Sequence, residues 1–483
     1  MGGLGGTRWR TIVIAASDTH NKSGADYVCS GTSDEATINR AITDLEAHAS
    51  SASLGRIVLL EGNYTCSGRI LINALGARVL AIEGMSGNSQ SDNSVGGTRI
   101  NSSETTNNAI DIAGAGGDVG SCVIIENIEL RSASTAAAIG SRDMTIKVNN
   151  CRITNTAGDG ITQSNSTGGS SNTVIDNNYV TAAGGKRGIS VSAGPTRGNV
   201  SYVRNNVVNI SGAGTGIQTG NDLSSTPSYH VSDNTVYSSS TTSSTGIQFS
   251  GTSTQNNVCV DNFVFKAAVG ISMAGYKNII ANNLIEQCPI GIRDGAFQLD
   301  ASFIVGNHII DPSTVGITIG TQNCTRNGIL GNKVVGYATT VPLACQVNGL
   351  AVGTHVYYND FDSGVTTPIS DSGSGTLTAF GIPSGGSAGQ LLAKVTSASG
   401  DVAWVTDYVQ AAISAAGDLI VGTGANAFTA LHKAGTLPMG PTWSQRILVD
   451  TSDAPGVKWG PTVTVGTVAP TSPQPGDIWL DTT

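Results

Sequence analysis

A repeating pattern of apolar and polar positions runs through the middle of the chain. In each copy an Asn has an aliphatic residue three positions before it and another two positions after it, as in Ile175, Asn178 and Val180. The copies follow one another at intervals of 21 to 29 residues. In chain order this Asn column comprises Asn149, Asn178, Asn206, Asn234, Asn262, Asn283, Asn307, Asn332 and Asn359. A copy with Glu126 in place of Asn precedes it, and Asn257 lies outside the pattern and is expected in a loop.

A Gly-Ile dipeptide recurs in phase with the Asn column, at 160/161, 188/189, 216/217, 246/247, 270/271, 291/292 and 316/317. Two short apolar segments per repeat, separated by Gly, Ser, Thr and Asn, predict a solenoid of short parallel strands. One repeat is too small to bury its own apolar face, so neighbouring repeats must stack. Each Asn is then expected inside a turn, donating a hydrogen bond to the Asn one coil away at the strand spacing of ~4.8 Å.

The segment before the repeats predicts a helix over about 33–48. Thr32-Ser-Asp-Glu35 has the form of a capping box. The apolar residues that follow at helical spacing are Ile38, Ala41, Ile42 and Leu45. Two strand signals come next, at 56–60 and 69–72. We expect the helix to cover the open apolar end of the first coil, because solenoids need caps to stay soluble.

Composition agrees with a β-rich chain. Gly supplies 63 of 483 residues and charged residues only 12 %, so neither long helices nor charged disordered segments are expected. The net charge of −9 argues against a nucleic-acid-binding protein. No run of about 18 apolar residues and no secretion signal of the general type is seen, so we expect no membrane insertion. The eight cysteines lack zinc-ligand spacing and are expected to be buried and reduced.

Residues 25–42 (ADYVCSGTSDEATINRAI) and 55–72 (GRIVLLEGNYTCSGRILI), followed by the Asn-bearing coils, resemble the start of right-handed parallel β-helices of the pectate-lyase-like superfamily. The resemblance covers roughly residues 8–380. It implies an all-β fold, a right-handed single-stranded parallel β-helix with an N-terminal capping helix. Members include lyases, hydrolases and bacteriophage tail fibre and tailspike proteins, so the resemblance leaves the activity open.

The last hundred residues follow a different pattern. QLLAKVTSASGDVAW (390–404) matches QRILVDTSDAPGVKW (445–459) at an offset of 55. These segments resemble modules found downstream of β-helices in phage tail fibres and minor tail proteins. The resemblance implies an attachment segment over 1–24, the β-helix over 25–380 and fibre-like modules over 381–483. Short Gly-bounded strands offer few side chains for a core of their own, which favours winding of three chains around one another.

Carboxylates that face outward are the candidates for catalysis. Pectate lyases bind Ca²⁺ through clustered carboxylates, and the most suggestive pair here is Asp233 and Asp261, each directly before a ladder Asn on successive coils. Such a pair suits a cation such as Ca²⁺ or acid and base catalysis; an Asx-turn is the alternative. Glu286, Arg293 and Asp294 are a second candidate cluster, for which a surface salt bridge is the alternative. No metal site is predicted from the residue pattern.

Aromatic residues on adjacent coils are candidates for ligand binding. The candidates are Tyr202, Tyr237 and Tyr276, with Tyr179, Phe263 and Phe265 nearby in the repeat. Rings on a polar rod suit stacking on sugars, and packing under a neighbouring chain is the alternative. His308 follows Asn307 without an evident partner and is expected to be a surface residue.

Three functional hypotheses follow. The first is a structural and adhesive subunit of a phage tail fibre or tailspike, located in the virion tail. It would be a homotrimer that contacts other tail proteins and a host surface polysaccharide or protein. The second is a polysaccharide-degrading lyase or hydrolase on the same β-helix, and the third is a cellular surface adhesin or filament subunit. The fibre-like modules, the absence of a secretion signal and the lack of a convincing catalytic set favour the first.

Overall fold

The computed structural model describes residues 10–48, 55–73, 75, 78–85, 97–114, 121–164, 172–192, 200–220, 228–251, 254–362 and 364–379. Beyond them it describes the backbone of seven short strands between 390 and 481. The chain divides into two units, Met1–Gly381 and Ile382–Thr483. In the first unit each coil contributes a strand to sheet A, then to sheet B and then to sheet C, and all the pairings are parallel. The predicted parallel β-helix is confirmed.

The strands are short, as the repeat predicts. Sheet A comprises Tyr27–Val28, Thr11–Ala15, Gly55–Leu59, Val79–Gly84, Cys122–Glu126, Thr145–Asn149, Val174–Asp176, Val200–Arg204, Ser228–Ser232, Val258–Val260, Ile279–Ala281, Phe303–Val305, Gly328–Leu330, His355–Tyr357 and Leu377–Ala379. Sheet B comprises Gly62–Cys66, Thr98–Ser102, Glu129–Ser132, Arg152–Asn155, Tyr179–Ala182, Val207–Ile210, Thr235–Ser238, Phe263–Phe265, Leu284–Glu286, His308–Ile310, Lys333–Val335 and Asp360–Phe361. Sheet C comprises Ile70–Asn73, Ile110–Ala113, Ala137–Arg142, Asp159–Ser164, Arg187–Ser192, Thr215–Thr219, Thr245–Phe249, Val269–Tyr276, Ile290–Asp300, Val315–Ile319, Val341–Val347 and Val365–Asp371, with Cys324–Thr325 and Ala351–Val352 beside it.

Helix α1 (Asp34–His48) lies on the first coil and confirms the predicted helix. Its buried apolar residues are those that the helical spacing predicts, namely Ile38, Ala41, Ile42 and Leu45. The predicted capping box is wrong. Ser33, directly before the helix, has a φ of 53°, and Glu35 accepts a hydrogen bond from the backbone N–H of Ser67 at 3.0 Å instead of turning back to Thr32.

Polar side chains of α1 pair with the terminal strands of two sheets. Asp34 accepts a hydrogen bond from the backbone N–H of Thr65 in the first strand of sheet B, at 2.8 Å. Asn39 accepts one from the N–H of Leu71 at 2.8 Å and donates one to the carbonyl of Arg69 at 3.0 Å, at the first strand of sheet C. The helix therefore satisfies backbone groups that an open sheet edge would leave unpaired.

Sheet A is joined to sheet B by two-residue turns that contain the asparagine ladder. The first residue has a positive φ and the second points into the coil. The second residue is Asn178, Asn206, Asn234, Asn262, Asn283, Asn307, Asn332 or Asn359 in successive coils. Each side-chain N–H donates to the Oδ1 of the next Asn at 2.8–3.0 Å. The predicted ladder is confirmed over these coils.

The ladder begins one coil later than predicted. Asn149 is the last residue of a sheet A strand, where it pairs with Asp176, and it lies outside the turn. The ladder position of that coil belongs to Cys151, whose backbone N–H donates to the first ladder asparagine at 2.9 Å. Glu126 pairs with Asn149 and is displaced in the same way. These strands carry two inward aliphatic residues, so the repeat pattern fits two registers that differ by two residues, and the predicted register is wrong here.

A second column of buried polar residues occupies the turns from sheet C to sheet A. Asn257 accepts a hydrogen bond from the backbone N–H of Tyr229 at 3.0 Å and donates one to Asn278 at 2.9 Å. Ser302 and Asn327 continue the column through bonds to backbone N–H groups at 3.0 Å. Asn257, expected in a loop, is fully buried. The repeat search missed this column because its members are chemically mixed.

The Gly-Ile column marks the narrowest part of the coil. The Ile points inward and is buried, for example Ile161 and Ile189. A Cβ on Gly160 would lie 2.3 Å from a methyl of Val180 in sheet B and 2.5 Å from the carbonyl oxygen of Gly188 in the next coil. Glycine is therefore required because sheets B and C approach each other closely there.

Two of the predicted segments can be compared with the structure only in part. They are the attachment segment 1–24 and the fibre-like modules 381–483. Thr11–Ala15, within the predicted attachment segment 1–24, is a sheet A strand paired with Gly55–Leu59, so this part belongs to the β-helix. The second unit contains two antiparallel hairpins and a three-stranded sheet. Its strands are Gln390–Lys394, Val402–Thr406, Leu419–Gly424, Ala427–Leu431, Trp443–Arg446, Thr462–Gly466 and Ile478–Asp481. Its side chains and connections lie outside the described residues, so the trimerising modules stay a prediction.

The eight cysteines are free, and seven of them are buried, with Cys122 only partly so. Burial raises the pKa of the thiols of Cys151, Cys288 and Cys345 to about 12. These side chains occupy apolar positions inside the coils, as expected for Cys151 and Cys259 from their place in the repeat. They act as small core residues.

We expect Asn262→Leu to lower the free energy of unfolding by about 2–4 kcal/mol. The substitution removes the acceptor for both N–H groups of Asn234 and the side-chain donor to the Oδ1 of Asn283, which keeps only the backbone N–H of residue 262. Thermal and urea unfolding measure the loss. Asn209→Leu is the matched control, because Asn209 lies on the outer side of sheet B. Equal losses at the two positions would contradict an energetic role for the ladder.

Stability is expected to fall in alkali because of the buried thiols. An unfolded thiol ionises near pH 8.5 whereas Cys151, Cys288 and Cys345 keep their protons until about pH 12. Their contribution to the free energy of unfolding is complete below about pH 8.5. It is lost as the pH rises, at up to about 1.4 kcal/mol per pH unit for each thiol. Urea unfolding across this range measures the slope. Cys345→Val should reduce the slope of the unfolding free energy against pH by the contribution of one thiol. An unchanged slope would refute the explanation.

Candidate functional site

The three tyrosines predicted to bind a ligand lie on three different sheets. Tyr202 is on the outer face of sheet A, with its ring centroid 5.2 Å from that of His230. Tyr237 is on the outer face of sheet B. Tyr276 ends a strand of sheet C, and its hydroxyl accepts a hydrogen bond from Gln298. The structure does not bring these tyrosines together, so no common platform is formed by them.

Asp233 and Asp261 occupy the first position of successive turns from sheet A to sheet B. Both are exposed and have a φ of 56°. The same column contains Asn205 and Asn282, each with a φ of 55°. Asp and Asn tolerate this left-handed conformation better than most residues do. The turn geometry thus accounts for the residue type, and the catalytic role of the pair stays a prediction.

Glu286 and Asp294 lie on different sheets. Glu286 faces outward on sheet B, next to Phe265 in register. Asp294 lies opposite Met273 in sheet C and points into the coil, where it is 1 % exposed. Its Oδ2 accepts a hydrogen bond from the backbone N–H of Gln322 at 3.0 Å. Arg293, the neighbouring residue, faces the opposite way, so the three side chains predicted to form one cluster are separated.

The outer face of sheet C carries an unbroken column of hydrogen-bonding side chains. The position after each Gly-Ile pair points outward and lies in register from coil to coil. The residues are Thr162, Ser190, Gln218, Gln248, Ser272, Arg293, Thr318, Gln346 and Ser370. We call this set the sheet C polar column. At ~4.8 Å per coil it extends over roughly 38 Å, and it presents hydroxyl, amide and guanidinium groups.

Two neighbouring members of the sheet C polar column have polar atoms that lack hydrogen-bond partners among the described residues. Ser272 is only 1 % exposed although it faces outward, and its Oγ has no hydrogen-bond partner. Arg293 pairs with it in register, and its Nε is also buried without a partner. A Cβ on Gly295 would lie 3.4 Å from the Ser272 Oγ, so the backbone after Asp294 passes close to this hydroxyl. Buried donors without partners are costly, which makes this pair stand out.

Two other arginines at sheet C form ion pairs within the chain. Arg187 binds Asp159 through Nε at 3.1 Å and through a terminal nitrogen at 2.6 Å. Arg69 binds Asp111 at 2.9 Å. No ion pair found in the described part of the chain involves Arg293.

Sheet B presents an aromatic cluster on its outer face. The Tyr237 ring lies edge to face with the rings of Phe263 and Phe265, at centroid distances of 6.0 and 6.1 Å. The Lys266 ammonium lies 4.9 Å from the centroid of Phe265. His308, farther along the same sheet, is half-buried, and burial together with the charge of Lys333 lowers its pKa. The cluster packs on itself and contains no acid–base pair.

Among the residues that the structure describes, no three His, Cys, Asp or Glu side chains converge as metal ligands. The suggested Ca²⁺ site thus stays a prediction. In the same part of the chain no helix has the length and hydropathy of a membrane span.

Solved structures share this fold. The crystal structure of DFA-IIIase from Arthrobacter chlorophenolicus A6 without its lid, in complex with GF2, aligns with a TM-score of 0.50 and 15% identity over 75% of this chain and 98% of that chain. The A-module of a mannuronan C-5 epimerase from Azotobacter vinelandii aligns with a TM-score of 0.46 and 15% identity over 73% of this chain and 98% of that chain. The first likeness supports a right-handed parallel β-helix, and no residue roles are transferred from it. No protein-family model and no curated protein match the sequence.

The left-handed conformation of Asp233 and Asp261 predicts how substitutions at these two positions affect stability. Asp233→Asn and Asp261→Asn should leave the free energy of unfolding unchanged, because Asn adopts the same left-handed conformation. Asp233→Val should cost about 1–2 kcal/mol, because a β-branched side chain is strained there. Urea unfolding of the single variants measures both effects. A loss from the Asn substitution as large as that from Val would contradict this assignment.

Proposed function

We propose that this chain binds an anionic polysaccharide along the outer face of sheet C. The observation that carries the proposal is the sheet C polar column, in which Ser272 and Arg293 present buried, unpartnered donors. Serine, threonine and glutamine side chains both donate and accept hydrogen bonds, as sugar hydroxyls do. An extended glycan along the helix axis would follow this column over nine successive coils, in six of which the side chain is at least partly exposed; Ser190, Ser272 and Thr318 are buried.

The anionic character of the proposed ligand rests on Arg293. A guanidinium group binds carboxylate or phosphate through charge-assisted hydrogen bonds, which are roughly twice as strong as neutral ones. Arg293 is the one charged side chain in the sheet C polar column, whereas Arg187 and Arg69 lie on earlier coils and form ion pairs there. A carboxylate on a sugar ring at this coil would supply the partner that Nε lacks.

The structural neighbours fit this reading at the level of fold. They include DFA-IIIase and a mannuronan epimerase, the latter named for a polysaccharide. Polysaccharide recognition also agrees with the depolymerase hypothesis and with a host-binding tail subunit. We keep the tail fibre or tailspike as the proposed setting, on the resemblance of 390–404 and 445–459 to fibre modules. Homotrimer formation and location in a virion tail belong to that part of the proposal.

The positions of the candidate catalytic carboxylates favour binding of the glycan without cleavage. Asp233 and Asp261 lie at turns between sheets A and B, Glu286 lies on sheet B, and Asp294 points inward. None of these four side chains faces outward beside Arg293 on sheet C. A lyase or hydrolase needs an acid or base within hydrogen-bond reach of the bound chain.

Arg293→Gln is expected to weaken binding of a polyuronate such as polygalacturonate by about 10- to 100-fold, corresponding to about 1.5–3 kcal/mol. Calorimetry or affinity electrophoresis measures the change, with uncharged dextran as the comparison glycan. Arg204→Gln is the matched control, since it removes the same charge from sheet A.

Equal weakening by the two substitutions would indicate a general charge effect and would refute the site. Failure of the wild type to bind any of a panel of uronate, sulfated and neutral glycans would refute the function. Release of reducing ends or unsaturated sugars during incubation would establish the depolymerase alternative instead.

A further inference from the structure

The outer face of sheet A changes its chemistry along the helix. In the earlier coils it carries Lys147 and an ion pair between Arg204 and Asp176 at 2.9 Å. From residue 258 onward its outward positions are apolar through four consecutive coils. These residues are Val258, Val260, Ile279, Ala281, Phe303, Val305 and Leu330, which we call the sheet A apolar face. The inward residues between them, such as Ile280 and Ile304, fill the core.

The sheet A apolar face is exposed and locally flat. Ile279 is 41 % exposed and Phe303 is 49 % exposed. A Cβ on Gly328 would lie 2.7 Å from the Phe303 ring and 3.4 Å from the side chain of Leu330. The ring therefore lies across the next strand, in the space that glycine leaves. A contiguous apolar surface of this kind on an otherwise polar rod is typical of a protein contact.

The two rims of the sheet A apolar face carry opposite charges. Lys277 and Arg326 are exposed at the turns that enter sheet A from sheet C. Asp261 is exposed at the turn that leaves the first strand of this face for sheet B, and Asp233 is exposed at the corresponding turn one coil earlier. An apolar centre with a charged, solvent-accessible rim is the usual composition of a protein interface.

We propose that two copies of this chain pack against each other through the sheet A apolar face, with their helix axes parallel. The centre of the face has no charge, so it is complementary to itself. When parallel copies face each other through this sheet, the basic rim of one lies opposite the acidic rim of the other. Antiparallel copies would place like rims together, which is unfavourable. This two-fold contact is independent of the sheet C polar column and separate from the homotrimer proposed above, which rests on the resemblance of residues 381–483 to fibre modules.

The test uses the full chain in sedimentation velocity over a range of concentrations. The wild type is expected to sediment as a multiple of its 49.0 kDa chain. Phe303→Glu and Ile279→Glu should each weaken association at least about 30-fold, because each places a charge in the apolar centre. Lys147→Glu is the matched control, since Lys147 lies on the outer side of the same sheet but outside the sheet A apolar face, between Ile124 and Val174 in register. Circular dichroism melting verifies that all the variants fold.

A charge exchange tests the parallel orientation. Lys277→Asp should weaken association, and adding Asp261→Lys to it should restore most of the loss. A wild type that is monomeric at all concentrations would overturn the proposal. This outcome includes the case in which other residues of the same chain cover the sheet A apolar face. Association of Phe303→Glu and Ile279→Glu like the wild type would place the contact elsewhere and overturn it as well. Absence of restoration in the double variant would overturn the parallel arrangement.

Discussion

Each coil that carries the asparagine ladder turns from sheet A to sheet B with only two residues, and the backbone N–H groups at that corner point to the neighbouring coil's corner. The ladder asparagine satisfies them: Asn262 accepts from the backbone N–H of Asn234 at 3.1 Å and from its side chain at 2.9 Å. Its own N–H group reaches the Val231 carbonyl at 3.0 Å. Stacking of the coils, and so the position of every outward residue, depends on these bonds, because an unpaired amide in this interior would be costly.

Fixed corners give the outer surface three independent faces. Each strand presents only a few outward residues per coil. The in-register neighbours of an outward side chain such as Arg293 therefore belong to the same sheet. Sheet C is polar, sheet B has an aromatic cluster around Phe263, and the later part of sheet A is apolar. Changes on one face leave the interior ladders and the other faces intact, so distinct binding surfaces coexist on one scaffold.

The sequence was most informative where one residue type repeats. Asn at the corner and Gly-Ile in sheet C predict the coils, since both are required by close packing that recurs in each coil. It was least informative where different residues do the same work, as in the column of Asn257 and Ser302. For the site, Asp294 was misplaced because a carboxylate inside the coil is unusual and spacing alone does not reveal it. Ser272 lacked any signal in the sequence, since its importance lies in a hydrogen bond that is not made.

The pairing of α1 with two terminal strands also has a kinetic consequence. Asp34 and Asn39 occupy the backbone groups at one end of the stack, so new coils are added only at the other end. Contacts then form between segments separated by about one repeat, which keeps loop closure inexpensive at each step. Since the N-terminal end leaves the ribosome first, the cap and first coils are complete while later coils are still being made. The direction of synthesis and the direction of growth of the β-helix are the same.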